Sequence, residues 1–166
     1  MSNAATVNDL FDMAIKAEKA AEEVYRRLQA KFAPYPDAAR FWRDYAAAEA
    51  GHALWLERVR DALNPEQLSA PADPQTVSAA QRLLLFRIEG ALKDIKDLEA
   101  AYQLANELES GETNVVFDFL ITHFATDAQA QSFMRSQLND HVAKISTGFP
   151  ARFRSSASRL SIKATE

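Results

Sequence analysis

The feature that most constrains this chain is the placement of its helix breakers. Its six prolines fall only at residues 34–36, 65–74 and 150, and glycine occurs only four times in 166 residues. The intervals between the breakers are long enough for helices of many turns and too poor in turn residues for a many-stranded sheet. They predict four helices, over residues 7–32, 37–63, 76–110 and 113–146. Thr6, three residues before Asp9, predicts a capping box at the first helix start.

Within these intervals apolar residues recur at alternating steps of three and four, which is typical of a bundle seam. The loops at 33–36 and 111–112 are short, so each pair of flanking helices should form an antiparallel hairpin. Residues 64–75 join the hairpins, and an extended linker of that length can run along the whole bundle. We therefore expect an all-α four-helix bundle over residues 1–149, followed by a basic C-terminal tail over residues 150–166.

Three ionisable residues fall on the predicted seam of the first hairpin. Glu49 and His52 are spaced i, i+3 and so share one helix face, and Glu18 lies among alanines in the first helix. Glu18 precedes the first turn by about as many residues as Glu49 and His52 follow it, so all three should be level. Burying carboxylates without a partner is costly, and carboxylate oxygens with an imidazole nitrogen suit iron, manganese or zinc.

The segments that carry these residues are Ala-Ile-Lys-Ala-Glu-Lys-Ala-Ala-Glu-Glu-Val-Tyr, ending at Tyr25, and Ala-Glu-Ala-Gly-His-Ala-Leu around Glu49 and His52. They resemble the first hairpin of the rubrerythrin-like branch of the ferritin-like superfamily. The resemblance implies a ferritin-like bundle of two antiparallel hairpins joined by a crossover. It also implies non-haem iron, one or two ions, with manganese or zinc as alternatives, and a redox reaction with peroxide or oxygen. No catalytic residue beyond the metal ligands is implied.

A dimetal site of this class takes one Glu from each of two helices and a Glu-x-x-His from each of the other two. In the second half of the chain, Glu99 and Asp127 lie near the expected depth, although Ala130 stands where the second histidine should be. A rival assignment uses Glu89 and His141, but His141 can share a site with Asp127 only if the fourth helix breaks near Thr126. The predicted ligands are therefore Glu18, Glu49, His52, Glu99 and Asp127, with Glu89 and His141 as alternatives.

Composition limits the partners and the chemistry. The chain has no cysteine, which excludes thiolate-bound metal, so a redox reaction would need a separate electron donor. The net charge of −4 gives no basic field for nucleic acid, and no apolar run is long enough to cross a membrane. We expect a cytoplasmic protein and, because long amphipathic helices often pair, a homodimer. The alternatives are an iron-handling protein without turnover and a ferritin-like interaction module that has lost its metal.

Overall fold

The structure is a computed structural model that describes residues 4–109 and 111–147, so the predicted tail over residues 150–166 lies outside the described residues. Eight helices and no strand occur in the described part of the chain, which confirms the all-α class. The helices are α1 (Val7–Lys31), α2 (Pro36–Asp61), α3 (Pro65–Ser69), α4 (Pro74–Leu84), α5 (Ile88–Lys93), α6 (Leu98–Glu109), α7 (Glu112–Phe124) and α8 (Ala128–Thr147).

Helices α1 and α2 form the antiparallel hairpin that the sequence predicts. The capping box is present at its start: Thr6 Oγ1 accepts a hydrogen bond from the Asp9 amide at 3.2 Å, and the Asp9 carboxylate accepts one from the Thr6 amide at 2.8 Å. Pro36 occupies the first turn of α2, where its missing amide hydrogen costs nothing. This hairpin provides the most extensive helix contact in the described chain.

The predicted third helix, over residues 76–110, is in fact three helices. The chain leaves α2 beside the start of α1, where the Val7 amide donates to the Ala70 carbonyl and the Ala72 amide to the Ala5 carbonyl, both at 2.9 Å. Helix α4 then packs on α1, and α5 contacts the C-terminal half of α1. The crossover therefore spans residues 62–97 rather than 64–75, and it contains α3, α4 and α5. Asp97 starts α6, because its carboxylate accepts from the Ala100 amide at 2.8 Å.

The predicted fourth helix, over residues 113–146, is also interrupted. Helix α7 ends at Phe124, and the Asp127 carboxylate caps the next helix by accepting from the Gln129 amide at 2.9 Å. A further break separates α6 from α7 at Gly111, where an added Cβ would lie 3.3 Å from the Glu107 carbonyl oxygen. The four columns of the bundle are therefore α1, α2, α6 followed by α7, and α8.

Two apolar clusters fill this bundle, one above the other. The lower cluster joins the first half of α1 to α7 and includes Phe11, Leu56 and Phe117. The upper cluster joins the second half of α1 to α6 and includes Tyr25 and Trp42. Helix α8 passes through both clusters, with Met134 and Leu138 in the lower one and Ile145 in the upper one. None of the described helices combines the length and apolarity that a membrane span requires.

The capping box at Thr6 gives a test of the fold. Replacing Thr6 by Ala should lower the free energy of unfolding by about 1 kcal/mol, because the first turn of α1 loses a hydrogen-bond acceptor. Urea denaturation measures this loss. Ser78→Ala, on the exposed face of α4, is the control and should shift stability by less than about 0.5 kcal/mol. Equal stability of Thr6→Ala and the parent protein would show that the cap does not contribute.

Candidate metal centre

A layer of five buried ionisable side chains separates the two apolar clusters. Each is at most 6% exposed, and together they come from all four columns of the bundle. These residues are Glu18 of α1, Glu49 and His52 of α2, Glu109 of α6 and His141 of α8. So many titratable groups in a helical core are costly unless they are paired, protonated or bound to a cation.

Glu18, Glu49 and His52 form the first group, as the sequence predicts. His52 Nδ1 lies 3.1 Å from Glu49 Oε2 and 3.6 Å from Glu18 Oε2. The Glu18 Oε2 atom is buried and makes no hydrogen bond with the described part of the chain. An orphaned carboxylate oxygen beside an imidazole nitrogen is an arrangement that a divalent cation would complete.

Glu49, Glu109 and His141 form a second group. His141 Nε2 lies 2.8 Å from Glu49 Oε1 and 3.1 Å from Glu109 Oε2. Glu49 thus directs one oxygen toward each histidine and belongs to both groups. In each group, one ligand atom per residue can be chosen so that all lie within 4.8 Å of one another. The two groups can hold two adjacent metal ions that share one carboxylate.

The buried carboxylates and histidines of this layer shift one another's pKa values. Burial, and then the charge of Glu49, raises the pKa of Glu18 well above its usual value. Burial alone would raise the pKa of Glu49, but hydrogen bonds from His141 and His52 hold it well below its usual range. Burial opposes charge on the histidines, yet their carboxylate neighbours raise the pKa of His52 to about 10 and that of His141 to about 9. A divalent cation bound here would compete with protons for the same carboxylate and imidazole atoms.

Two tyrosines orient the second group. The Tyr25 hydroxyl donates to Glu109 Oε1, and the Tyr45 hydroxyl donates to the His141 carbonyl oxygen at 2.6 Å. The Tyr45 ring also lies 4.3 Å from the His141 ring, centroid to centroid. The helical spacing of these tyrosines indicates core packing, and both are indeed buried, but the Tyr25 hydroxyl also holds the Glu109 side chain and the Tyr45 hydroxyl the His141 backbone.

The structure does not bring Glu99 and Asp127 to this layer. Asp127 is exposed and caps α8. Glu99 lies in the first turn of α6, ten residues before Glu109, a separation of about 15 Å along a helix. Both assignments counted depth from a predicted hairpin turn at residues 111–112. That turn is wrong, because α6 and α7 continue in one column and the chain turns back only at residues 125–127. In the rival assignment Glu89 is also displaced, since it is exposed and paired with Arg27.

Two other residues, His141 and Glu109, lie in the layer where the sequence predicts Glu99 and Asp127. The break before α8 sets His141 level with Glu49, and Glu109 follows Leu98, Ala101 and Ala105 on the buried face of α6. The steps of three and four that lead to Glu109 are visible in the sequence, and they are the signal that points to this residue. Leu138 stands three residues before His141, where Glu49 stands relative to His52, so the second group has one carboxylate fewer than the general pattern.

The hydrogen bond of Tyr25 should be measurable without metal. Tyr25→Phe leaves a buried Glu109 oxygen without a donor and should lower the free energy of unfolding by about 1–3 kcal/mol. A double-mutant cycle with Glu109→Gln should give a coupling energy on the order of 1 kcal/mol. Additive effects of the two substitutions would show that Tyr25 does not hold Glu109.

Comparison with protein-family models identifies the family of this chain. The family model for rubrerythrin matches residues 9–123, a range that includes Glu18, Glu49, His52 and Glu109 and ends before His141. Searches of curated proteins and of solved structures gave no significant match. The match spans well over half of the 166 residues. With the helical bundle and its buried carboxylate and histidine groups, it shows that the chain belongs to the rubrerythrin family.

Proposed function

We propose that this protein is a non-haem iron oxidoreductase that reacts with peroxide or dioxygen at the buried carboxylate and histidine layer. The observation that carries the proposal is Glu49, whose two oxygens lie 3.1 Å from His52 Nδ1 and 2.8 Å from His141 Nε2. A carboxylate placed between two histidine-containing groups is the arrangement that two adjacent metal ions require.

The residues present fit such a pair of ions. Glu18, Glu49 and His52 would hold one ion, and Glu49, Glu109 and His141 the other. Mixed oxygen and nitrogen donors suit iron, and also manganese or zinc. Iron bound here would supply reversible electron transfer and open coordination positions for an oxygen-containing substrate. Leu138 contributes no ligand atom, so each ion would have three protein ligands, with Glu49 common to both.

The remaining task of the chain is to orient these ligands and restrict access to them. Tyr25 holds Glu109, and Tyr45 holds the backbone of His141. An inner cavity of about 200 Å³ reaches the layer between α1, the end of α4 and the α6–α7 break. It has room for a few molecules the size of water, and its α1 wall includes Ala17, Ala20 and Ala21. A cavity of this size favours a small oxidant.

The proposed reaction also requires a source of electrons. The chain contains no cysteine, so it cannot provide a cysteine-bound iron centre as an internal donor. A separate protein or small molecule would reduce the site. We also retain the homodimer and the cytoplasmic location as proposals, to be tested by light scattering and by fractionation.

A purely structural bundle would be expected to have an apolar layer here. Replacing buried ionic networks with apolar side chains is often neutral or stabilising, so a network kept for stability alone has little advantage. The unpartnered Glu18 oxygen adds to the cost of the metal-free layer. These features support metal binding over an interaction module that has lost its site.

Iron counting tests the proposal. After anaerobic ferrous loading, elemental analysis should give about two irons per chain, and adding peroxide or oxygen should oxidise them. Glu49→Ala should abolish both irons, while Glu18→Ala and His141→Ala should each reduce the count by about one. Manganese and zinc should be measured on the same samples.

Glu99→Ala and Asp127→Ala are the matched controls, because both remove a carboxylate that lies away from the layer. Each should retain about two irons. Absence of bound metal in the parent protein would overturn the metal centre. Stable iron without oxidation by either oxidant would leave an iron-handling protein and overturn the redox role.

Leu138 gives an independent prediction. Leu138→Glu should destabilise the metal-free protein, because it buries a carboxylate in the lower cluster. It should increase the affinity for the second ion by about tenfold or more, through an added ligand atom. Thermal unfolding with and without metal measures both effects. Met134→Glu, one turn farther from His141 on the same buried face, should destabilise the protein without increasing the gain from metal.

A further inference from the structure

A second opening reaches the same histidines from another side of the bundle. It is a cleft of about 450 Å³ that, within the described residues, is lined by α2 and α8 alone, and its lining includes His52 and His141. The inner cavity, by contrast, is lined by residues of α1, α2, α4, α6, α7 and α8 and by the loop after α4. The two histidines therefore lie between a small cavity and a larger cleft.

The walls of the cleft are apolar where they are most open. Trp55 and Met134 face it, and so do two large side chains that remain exposed, Leu54 at 47% and Phe133 at 62%. Gly51 lies on the same wall, where an added Cβ would have no neighbour within 4 Å. A concave space of this volume is in the range of small-molecule sites.

The charges around the cleft favour an anion. Helices α2 and α8 run antiparallel, so Arg58 lies toward the lower end of the cleft and Lys144 toward the upper end. Neither cation forms an ion pair with a described residue. Asp140 is the single carboxylate on the rim and leaves an excess of positive charge. Apolar side chains on the walls with a cation at each end are complementary to an organic acid with an apolar body.

We propose that the cleft between α2 and α8 binds an apolar organic carboxylate, such as a medium-chain fatty acid, with its body between Trp55 and Phe133. The inference deepens the proposed function, because it names a second ligand class at the same histidines. Binding itself needs only the cleft, so it is measured separately from iron content and oxidation.

Decanoate is the probe, with decylamine and decanol as partners of the same chain length but different charge. Calorimetric titration of the full chain should give saturable 1:1 binding of decanoate, with a dissociation constant on the order of 0.1 mM. Decanol should bind at least about fivefold more weakly and decylamine more weakly still. Quenching of Trp55 fluorescence, lost in Trp55→Phe, should accompany binding.

Gly51→Phe should place a phenyl ring inside the cleft, since Gly51 forms part of its wall. The filled cleft should bind decanoate at least about tenfold more weakly. Gly90→Phe is the matched control, because Gly90 is also helical and lies in α5, away from the cleft. A Cβ added at Gly90 would meet only Arg87 Cβ, at 3.9 Å, so this variant should bind decanoate normally. Arg58→Gln combined with Lys144→Gln should weaken decanoate but leave decanol unchanged.

Several outcomes would overturn the inference. Equal binding of decanoate and decylamine would exclude an anion site, and normal decanoate binding by Gly51→Phe would place the ligand elsewhere. No saturable binding up to about 1 mM would exclude the ligand class. A parent dimer that Gly51→Phe converts to monomers would show that a second copy covers the cleft. If decanoate does not bind but the protein still binds two irons per chain, the ligand inference fails and the proposed function does not.

Discussion

The shared carboxylate of Glu49 is the interaction on which the centre of this protein depends. It lies on α2 between His52 and His141, and those histidines in turn contact Glu18 of α1 and Glu109 of α6. Burial and the charge of Glu49 raise the pKa of Glu18, and the neighbouring carboxylates raise the pKa values of His52 and His141. The same features that make the layer costly to fold make it a suitable place for divalent cations.

The two interruptions in the second half of the chain set this geometry. Helix α6 ends at Glu109, at the depth of the layer, and α7 continues downward through the lower cluster. The chain then turns at Asp127 and returns as α8, which reaches the layer at His141. A crossover that itself contains α4 and α5 brings the chain to the top of the bundle beforehand. The breaks therefore set the register of the later helices, because each one changes the depth in the bundle of the residues that follow it.

The layer is also where the two openings of the bundle converge. The inner cavity is small and is lined on one side by alanines of α1. The cleft between α2 and α8 is larger and has apolar side chains on its walls and a cation at each end. Leu138 stands on α8 three residues before His141, where the general pattern of this family has a carboxylate.

The sequence alone determined the helical class, the first hairpin and the group formed by Glu18, Glu49 and His52, because those properties depend on local periodicity and on distances counted from one short turn. It could not determine the second group. Residue depth in the later helices depends on where they break, and those breaks are set by tertiary packing together with weak local signals such as Asp97 and Asp127. Glu99 and Asp127 lie at suitable depths only if the chain turns back at residues 111–112. The fold decided that Glu109 and His141 would complete the layer instead, since only the packed bundle sets which turns of different helices are level.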